Sequence, residues 1–373
     1  MIDSDIRFGA SVPKVPQFYK DMANKPMKKE EGPTRTIQKT KNNDDCCAIG
    51  DEWTSLNLVK CEPYNHDTSL FTFQLPPSTK SLRLPLMGHL LIRKNTSDTE
   101  NNGTTTKAVR PYTAVYEDEN AGTFTLLIKR YQEWGVPEEK LKAQGHVFLY
   151  CKTNHSYKPP GIVSNHIHSL QPGKDSLEFL YSDTHNRGHS LSPKTRNLTL
   201  IAVGVGIAPM IRLLRHILKP NNDNDNDNDN DNSIQLESIR LLYGVRTVED
   251  ILLRPQLEEW NTQYSDKFRA IVCVGSRWSN VHFAAKKTKE HQPPPLPKDY
   301  ASIHLLEKEL GWINADKISK HAASTPDDDK HVIMVCGLPS IYDNLCGPRK
   351  DPILSPKSQL YKLGYRDHQV MKF

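Results

Sequence analysis

The chain of 373 residues has no apolar run approaching the roughly 20 residues a helix needs to cross a bilayer, so no transmembrane anchor is expected within it. The basic residues near its start lead into no apolar core, which argues against a secretory signal. Cysteine is scarce. The seven present (Cys46, Cys47, Cys61, Cys151, Cys273, Cys336 and Cys346) are odd in number, irregularly spaced and form no CxxC pair. A disulfide framework and a zinc site are therefore not expected, and no metal ligands are assigned. A reducing intracellular compartment is the default. The cytoplasm comes first, with the mitochondrion or the periphery of a membrane as alternatives. A strong charge of one sign is also missing. The net charge is +5, the basic residues are scattered and no nucleic-acid motif accompanies them, so no nucleic-acid partner is expected. Hydrophobic residues are few at 36% and prolines many at 26, so part of the length is loop rather than core, although the chain is long enough for two domains.

Residues 1–50 are polar, lysine-rich and without periodicity, and read as a disordered tail. From Trp53 to about Phe179 the pattern is one of short alternating strands. Examples are Ser69 to Leu75, His89 to Arg93 and Thr123 to Lys129, with turn-forming stretches between them. That pattern predicts an antiparallel barrel or sandwich. Asn95 to Thr106 reads as a long loop. After Asn197 the pattern changes to strands alternating with helices. The strands are Leu198 to Val203, Ile239 to Tyr243, Phe268 to Val274 and His331 to Val335; one helix carries Ile211, Leu214 and Leu218, and another surrounds Gln256 to Trp260. Such alternation predicts a parallel sheet with crossovers. The expected domains are thus 51–190 and 195–373. In the second, the Asn/Asp run 221–232 and residues 278–310 are expected as surface loops.

Four short motifs carry chemistry. Arg110-Pro111-Tyr112-Thr113 lies on a strand of the first half. Arginine offers a charged fork to a phosphate, tyrosine a ring that can lie against a flat heterocycle, and threonine a hydroxyl for its edge. In Gly161-Ile162-Val163-Ser164, Ser164 reads as the N-cap of a short helix ending near Pro172-Gly173, a place suited to a diphosphate. Gly204-Val205-Gly206-Ile207-Ala208-Pro209 follows a strand and opens a helix, where glycines let a dinucleotide approach the backbone. Cys336-Gly337-Leu338-Pro339 forms another strand-to-helix junction. Taken singly, the first reads rather as an ordinary amphipathic strand and the second as a plain capped helix, the third is as readily a tight turn, and Cys336 alone reads as a buried structural cysteine.

Their order is more telling. Arg-x-Tyr-Thr, Gly-x-Val-Ser, Gly-x-Gly-x-x-Pro and Cys-Gly-x-Pro follow one another as in the ferredoxin-reductase-type flavoproteins. Leu241 to Pro255 is very similar to a segment of the NADH–cytochrome b5 reductases, and Phe373 matches the aromatic residue on which members of that family commonly end. The resemblance covers roughly residues 55–373. It implies an antiparallel β-barrel FAD-binding domain followed by a parallel-sheet α/β domain that binds a nicotinamide dinucleotide. It further implies that Arg110, Pro111, Tyr112 and Thr113 hold FAD, and that Ile128, Lys129 and Tyr131 lie on the next FAD- and NADH-contacting strand. Gly161, Ile162, Val163 and Ser164 would cradle the pyrophosphate. Gly204, Gly206 and Pro209 would shape the nicotinamide pocket and Cys336 would lie near the nicotinamide ring, with Ala208, Gly337, Pro339 and Phe373 also among the cofactor-binding residues.

The implied activity is passage of electrons from NADH through FAD to a one-electron acceptor protein such as cytochrome b5. The alternative is a catalytically altered relative that serves assembly or interaction, for which Ala208, standing where the family often has threonine, and the long insertions are the motivation. No acid–base residue is assigned, because hydride transfer needs none. NADPH is the less favoured coenzyme; Ser276-Arg277 is the one feature pointing to it. Oligomeric state is not legible.

Overall fold

In the computed structural model, residues 47–77, 79–97, 105–133, 159–183, 191–218, 235–275 and 296–373 are described. They form two compact units, one of described residues up to Leu84 and from His89 to Asp183, the other of Pro85–Gly88 with the described residues that follow Asp183. Of the segments expected to be loop or tail, residues 1–46 and the run 221–232 lie outside the described residues, as do Ser276 and Arg277.

The first unit is one antiparallel sheet of seven strands: β1 (Thr54–Pro63), β2 (Thr68–Gln74), β3 (Leu90–Ser97), β4 (Thr105–Tyr112), β5 (Ala114–Asp118), β6 (Thr123–Lys129) and β7 (Ser176–Leu180). Their spatial order is β4-β3-β7-β1-β2-β6-β5. The two strands at its ends are consecutive in the chain and separated only by Thr113. One long strand therefore bends at Thr113, pairing with β3 before the bend and with β6 after it, which closes the sheet into a barrel. A register shift between Ala114 and Tyr116 supplies the bend, as β-bulges do. Inside, Phe179 packs edge to face on Phe73 at 4.9 Å and on Phe124 at 5.4 Å, a geometry that aromatic pairs favour. A short helix, α1 (Ile162–Ile167), buries Val163 and Ile167 in the same core.

Two expectations are corrected here. Ile49 is fully buried and the Ala48 amide donates to the Leu82 carbonyl, so the core begins before residue 51. Within the loop expected over Asn95 to Thr106, the described residues 95–97 and 105–106 are strand: β3 and β4 stay paired out to Ser97 and Thr105. Its Asn/Thr composition does not look like a strand, and the pairing follows the backbone ladder.

The second unit is a six-stranded parallel sheet. Its strands are β8 (Asn197–Val203), β9 (Ser238–Val245), β10 (Phe268–Val274), β11 (Glu307–Leu310), β12 (His331–Cys336) and β13 (Val370–Lys372), in the order β11-β10-β9-β8-β12-β13. The central strands are near-continuous apolar runs, as sheets covered on both faces require. The described helices of this unit are α2 (Ile207–Ile217), α3 (Arg254–Gln263), α4 (Ala315–His321), α5 (Pro339–Leu345) and α6 (Gln359–Lys362). The extended loop expected over 278–310 contains β11, which pairs in parallel with β10 from Ile271↔Glu307 to Val274↔Leu310. Glu-Lys-Glu-Leu does not look like a buried strand because it lies at the sheet edge, where charge discourages pairing with other chains.

Strand order reverses at β8. The chain moves outward through β9, β10 and β11, then returns to the other side as β12. Open α/β sheets bind ligands at the carboxyl ends of the strands at such a reversal. The two junctions there are Gly204 to Pro209 and Cys336 to Pro339.

Candidate functional site

In the first unit, strand alternation sorts the Arg110 motif. Leu90 and Ile92 of β3 and Ala108 and Tyr112 of β4 share a cluster with Val163 and Ile167 of α1. Leu91 and Val109, one residue out of phase, pack on the opposite face with Leu180 and Trp53. Arg110 lies between Ala108 and Tyr112 and so belongs to the α1 face. It is half-buried; its Nη1 donates to the Val109 carbonyl at 2.7 Å, and it forms no ion pair among the described residues. Burial pushes the Tyr112 hydroxyl above the tyrosine range, Tyr131 adds to this and Arg110 opposes it. Tyr112, Tyr131 and Arg110 are thus electrostatic neighbours. Thr113, at the bend, is buried.

Helix α1 starts at Gly161, which has no side chain with which to cap it. Ser164 is not the N-cap expected but stands inside the first turn, and the helix ends at Ile167, well before Pro172. The reason is a stitch to the end of β6. The Gly161 amide donates to the Tyr131 carbonyl at 2.8 Å, and Asn165 Nδ2 donates to the same carbonyl at 2.7 Å and to that of Gly161 at 2.8 Å. Arg130 Nε donates to Asn165 Oδ1 at 3.1 Å. Asn165 thereby sets the helix start beside Tyr131. Its position four residues after the glycine was the available signal. Ile162 and Tyr131 remain exposed while Val163 and Ser164 are buried. Lys129, on the next strand, pairs with Asp67, and the Ile128 side chain lies in the barrel core.

In the second unit, Gly204 and Gly206 serve different purposes. Gly204 adopts a left-handed φ of 56° with open space above its Cα, so glycine is needed for the backbone while the face stays clear. A Cβ on Gly206 would lie 2.4 Å from the Cys336 carbonyl oxygen, so its bareness lets the two junctions touch. Ala208 and Pro209 are buried in the first turn of α2, where proline loses no intrahelical hydrogen bond. Tyr243, fully buried on β9, donates to the Gly204 carbonyl at 3.2 Å and accepts from the Leu252 amide at 3.3 Å. Beyond the following turn, Thr247 and Asp250 form a capping box. The segment Leu241 to Pro255 therefore supports the glycine turn from below.

Across the reversal, burial pushes the Cys336 thiol up to about 11 against the pull of Arg349, so it is a neutral thiol at physiological pH. Tyr342 of α5 accepts from the Gly337 amide at 3.4 Å and donates to the Phe373 carbonyl; the Phe373 amide donates to the Val335 carbonyl at 3.0 Å. Cys336, Gly337, Tyr342 and Phe373 form one connected corner. Pro339 opens α5 and is exposed beside Leu338.

These residues fit a flavin dinucleotide in the first unit and a nicotinamide dinucleotide in the second. An uncapped helix start, whose first amides lack intrahelical acceptors, shares a face with Arg110, which makes no ion pair among the described residues. A clear glycine turn stands at a strand-order reversal.

Known proteins agree. Residues 55–179 match the family model "Oxidoreductase FAD-binding domain", and residues 200–303 match "Oxidoreductase NAD-binding domain". The chain is 28% identical over 334 residues to NADH-cytochrome b5 reductase 2 of Saccharomyces cerevisiae, covering 87% of this chain and 83% of that one. It is 25% identical to the protein of the same name from Scheffersomyces stipitis, covering 87% and 84%. The cytochrome b5 reductase domain of Ulva prolifera nitrate reductase shares the fold with a TM-score of 0.58 at 22% identity, covering 88% of this chain and 100% of that one. Barrel and parallel sheet together define a ferredoxin-reductase-type FAD/NAD oxidoreductase. The chain is an oxidoreductase with FAD- and NAD-binding domains, similar to the NADH–cytochrome b5 reductases, and its cofactors are FAD and NADH. No helix among the described residues is long and apolar enough to cross a membrane.

Proposed function

We propose that this chain takes electrons from NADH through FAD to a one-electron acceptor, a haem protein of the cytochrome b5 kind. The observation that carries this reading is the meeting of the Gly204 turn and the Cys336 corner at the reversal of the parallel sheet. The names of the relatives support the choice of acceptor. FAD, when bound, supplies the capacity to accept a hydride and give up electrons singly. The protein's own part is placement. Arg110 and the first-turn amides of Ile162, Val163 and Ser164 hold phosphate charge, with Gly161 keeping the approach bare. Tyr112 and Pro111 present the surface on which the flavin lies, Thr113 fixes the bend beneath it, and Tyr131 borders it. Gly204, Gly206, Ala208 and Pro209 shape the floor of the nicotinamide pocket. Cys336, Gly337, Pro339 and Phe373 form its wall. The neutral Cys336 thiol packs there without donating a charge. No side chain has to move a proton in the hydride step.

The test is spectroscopic. The protein purified with FAD is expected to be yellow, to be bleached by NADH under anaerobic conditions, and to reduce ferricyanide and cytochrome b5. A flavin band that NADH leaves untouched refutes the reading. Ferricyanide reduction without cytochrome b5 reduction refutes only the acceptor.

A further inference from the structure

Lys94 lies on β3 two residues beyond Ile92, and Ile92 is the cross-strand partner of Arg110. Period-two alternation puts Lys94 and Arg110 on one face as diagonal neighbours, which in an antiparallel pair stand about 7 Å apart, within reach of long side chains. This is the face covered by α1, through the cluster of Ile92, Ala108, Tyr112, Val163 and Ile167. Lys94 and Arg110 are both half-buried, and neither makes an ion pair among the described residues. The nearby carboxylate of Glu178 is engaged elsewhere: it takes both arms of Arg93, at 2.6 and 2.5 Å, and Arg93 belongs to the opposite face of the strand. His166 of α1 is the next titratable group. Its own burial holds it below the usual histidine range, Lys94 pushes it the same way, and Asp175 opposes. Asp175 in turn accepts from the Gln171 amide at 2.7 Å.

Two basic side chains are thus held on one partly buried face, with no carboxylate between them among the described residues. Such an arrangement is repulsive until an anion occupies it, and an anion with two charges a few ångströms apart matches it best. We propose that Lys94 is a second phosphate-binding residue for FAD, gripping the diphosphate together with Arg110 and making the site selective for the dinucleotide over flavins without phosphate. This rests on the FAD-site reading given under Proposed function.

The test titrates apoprotein with FAD and with riboflavin, which lacks phosphate, at low and high salt, following quenching of flavin fluorescence. Lys94→Gln is expected to weaken FAD binding about tenfold, to make its salt dependence shallower and to leave riboflavin binding unchanged. Lys94→Arg is expected to restore FAD binding. The assignment is overturned if Lys94→Gln binds FAD like the parent, or if it loses FAD and riboflavin equally, the mark of a merely structural lysine. Arg110→Ala run in parallel separates the two levels. Loss of FAD in Arg110→Ala alone overturns the role of Lys94 and leaves the FAD site standing, whereas unchanged affinity in both variants overturns the site itself.

Discussion

The barrel and the α/β unit each build a candidate binding site, and from different material. In the barrel, side chains do the selecting: Arg110, Tyr112 and Tyr131 gather where a single strand bends, and Asn165 pins the helix start beside them. In the α/β unit, backbone does it. Gly204 offers a left-handed turn, Gly206 brings one junction against another, and the side chains involved, Tyr243 and Tyr342, act by holding carbonyls and amides. The barrel should therefore suffer from deletions and the α/β unit from additions.

The sharpest test is Gly206→Ala. One added methyl must displace the Cys336 carbonyl, a backbone atom that cannot swing aside. We expect a loss of about 3 kcal/mol of stability and at least a tenfold slower bleaching of the flavin by NADH, with flavin content unchanged. Gly204→Ala has open space and only the strained φ to bear, so about 1 kcal/mol is expected there. Equal effects of the two substitutions in calorimetry and stopped-flow absorbance would contradict the division of roles between the glycines.

Next in size is the converse in the barrel. Arg110→Ala removes a fork rather than adding bulk. It should weaken FAD about thirtyfold, or about 2 kcal/mol, while NADH analogues still bind the α/β unit. Equilibrium dialysis against each ligand measures both. If Arg110→Ala also abolishes binding of the NADH analogue, the two halves are not separable in this way.

The sequence made the barrel strands and the parallel sheet legible because their signals are local: alternation over Thr123 to Lys129 and apolar runs over Phe268 to Val274 coincide with the strands found. The motif order likewise placed Gly204 and Cys336 at strand ends. What escaped was determined across long separations. β11 owes its existence to pairing with β10, not to its Glu-Lys-Glu-Leu composition. Ser164 has the chemistry of an N-cap, but the hydrogen bonds from Gly161 and Asn165 to Tyr131 start the helix earlier. Gly206 was read as making room for a ligand, whereas its nearest constraint is the Cys336 carbonyl, 130 positions away in the chain (336 minus 206).

A milder test of the backbone argument is Tyr342→Phe. It removes only the hydroxyl that links the Gly337 amide to the Phe373 carbonyl. A loss of about 1 kcal/mol is expected, with a few-fold rise in KM for NADH and little change in FAD affinity. A change in FAD affinity as large as that in KM would show that the corner does not act on the nicotinamide side alone.

The smallest expected effect compares the two units by pH. His331, fully buried on β12, has its Nε2 2.8 Å from Thr199 Oγ1 and lies edge-on to Tyr365. Burial holds its pKa below the ordinary histidine value, with Asp328 pulling the other way. A histidine kept neutral in the folded state and free to protonate when unfolded contributes full stability above about pH 6.5 and progressively less as pH falls toward its folded pKa, because the unfolded chain binds the extra proton. His166 and His168 of the barrel are shifted the same way but are only half-buried, so the steeper dependence belongs to the α/β unit. The carboxylates held low stay charged in this window. At Asp67, burial raises the pKa, but the Lys129 hydrogen bond and charge outweigh it and hold the carboxyl below the usual aspartate range. Thermal unfolding between pH 7.5 and 5.5 at fixed ionic strength should therefore show a falling midpoint, and the fall should be smaller in His331→Gln than in the parent. A parent and variant that fall in parallel would place the sensitivity in the barrel histidines instead.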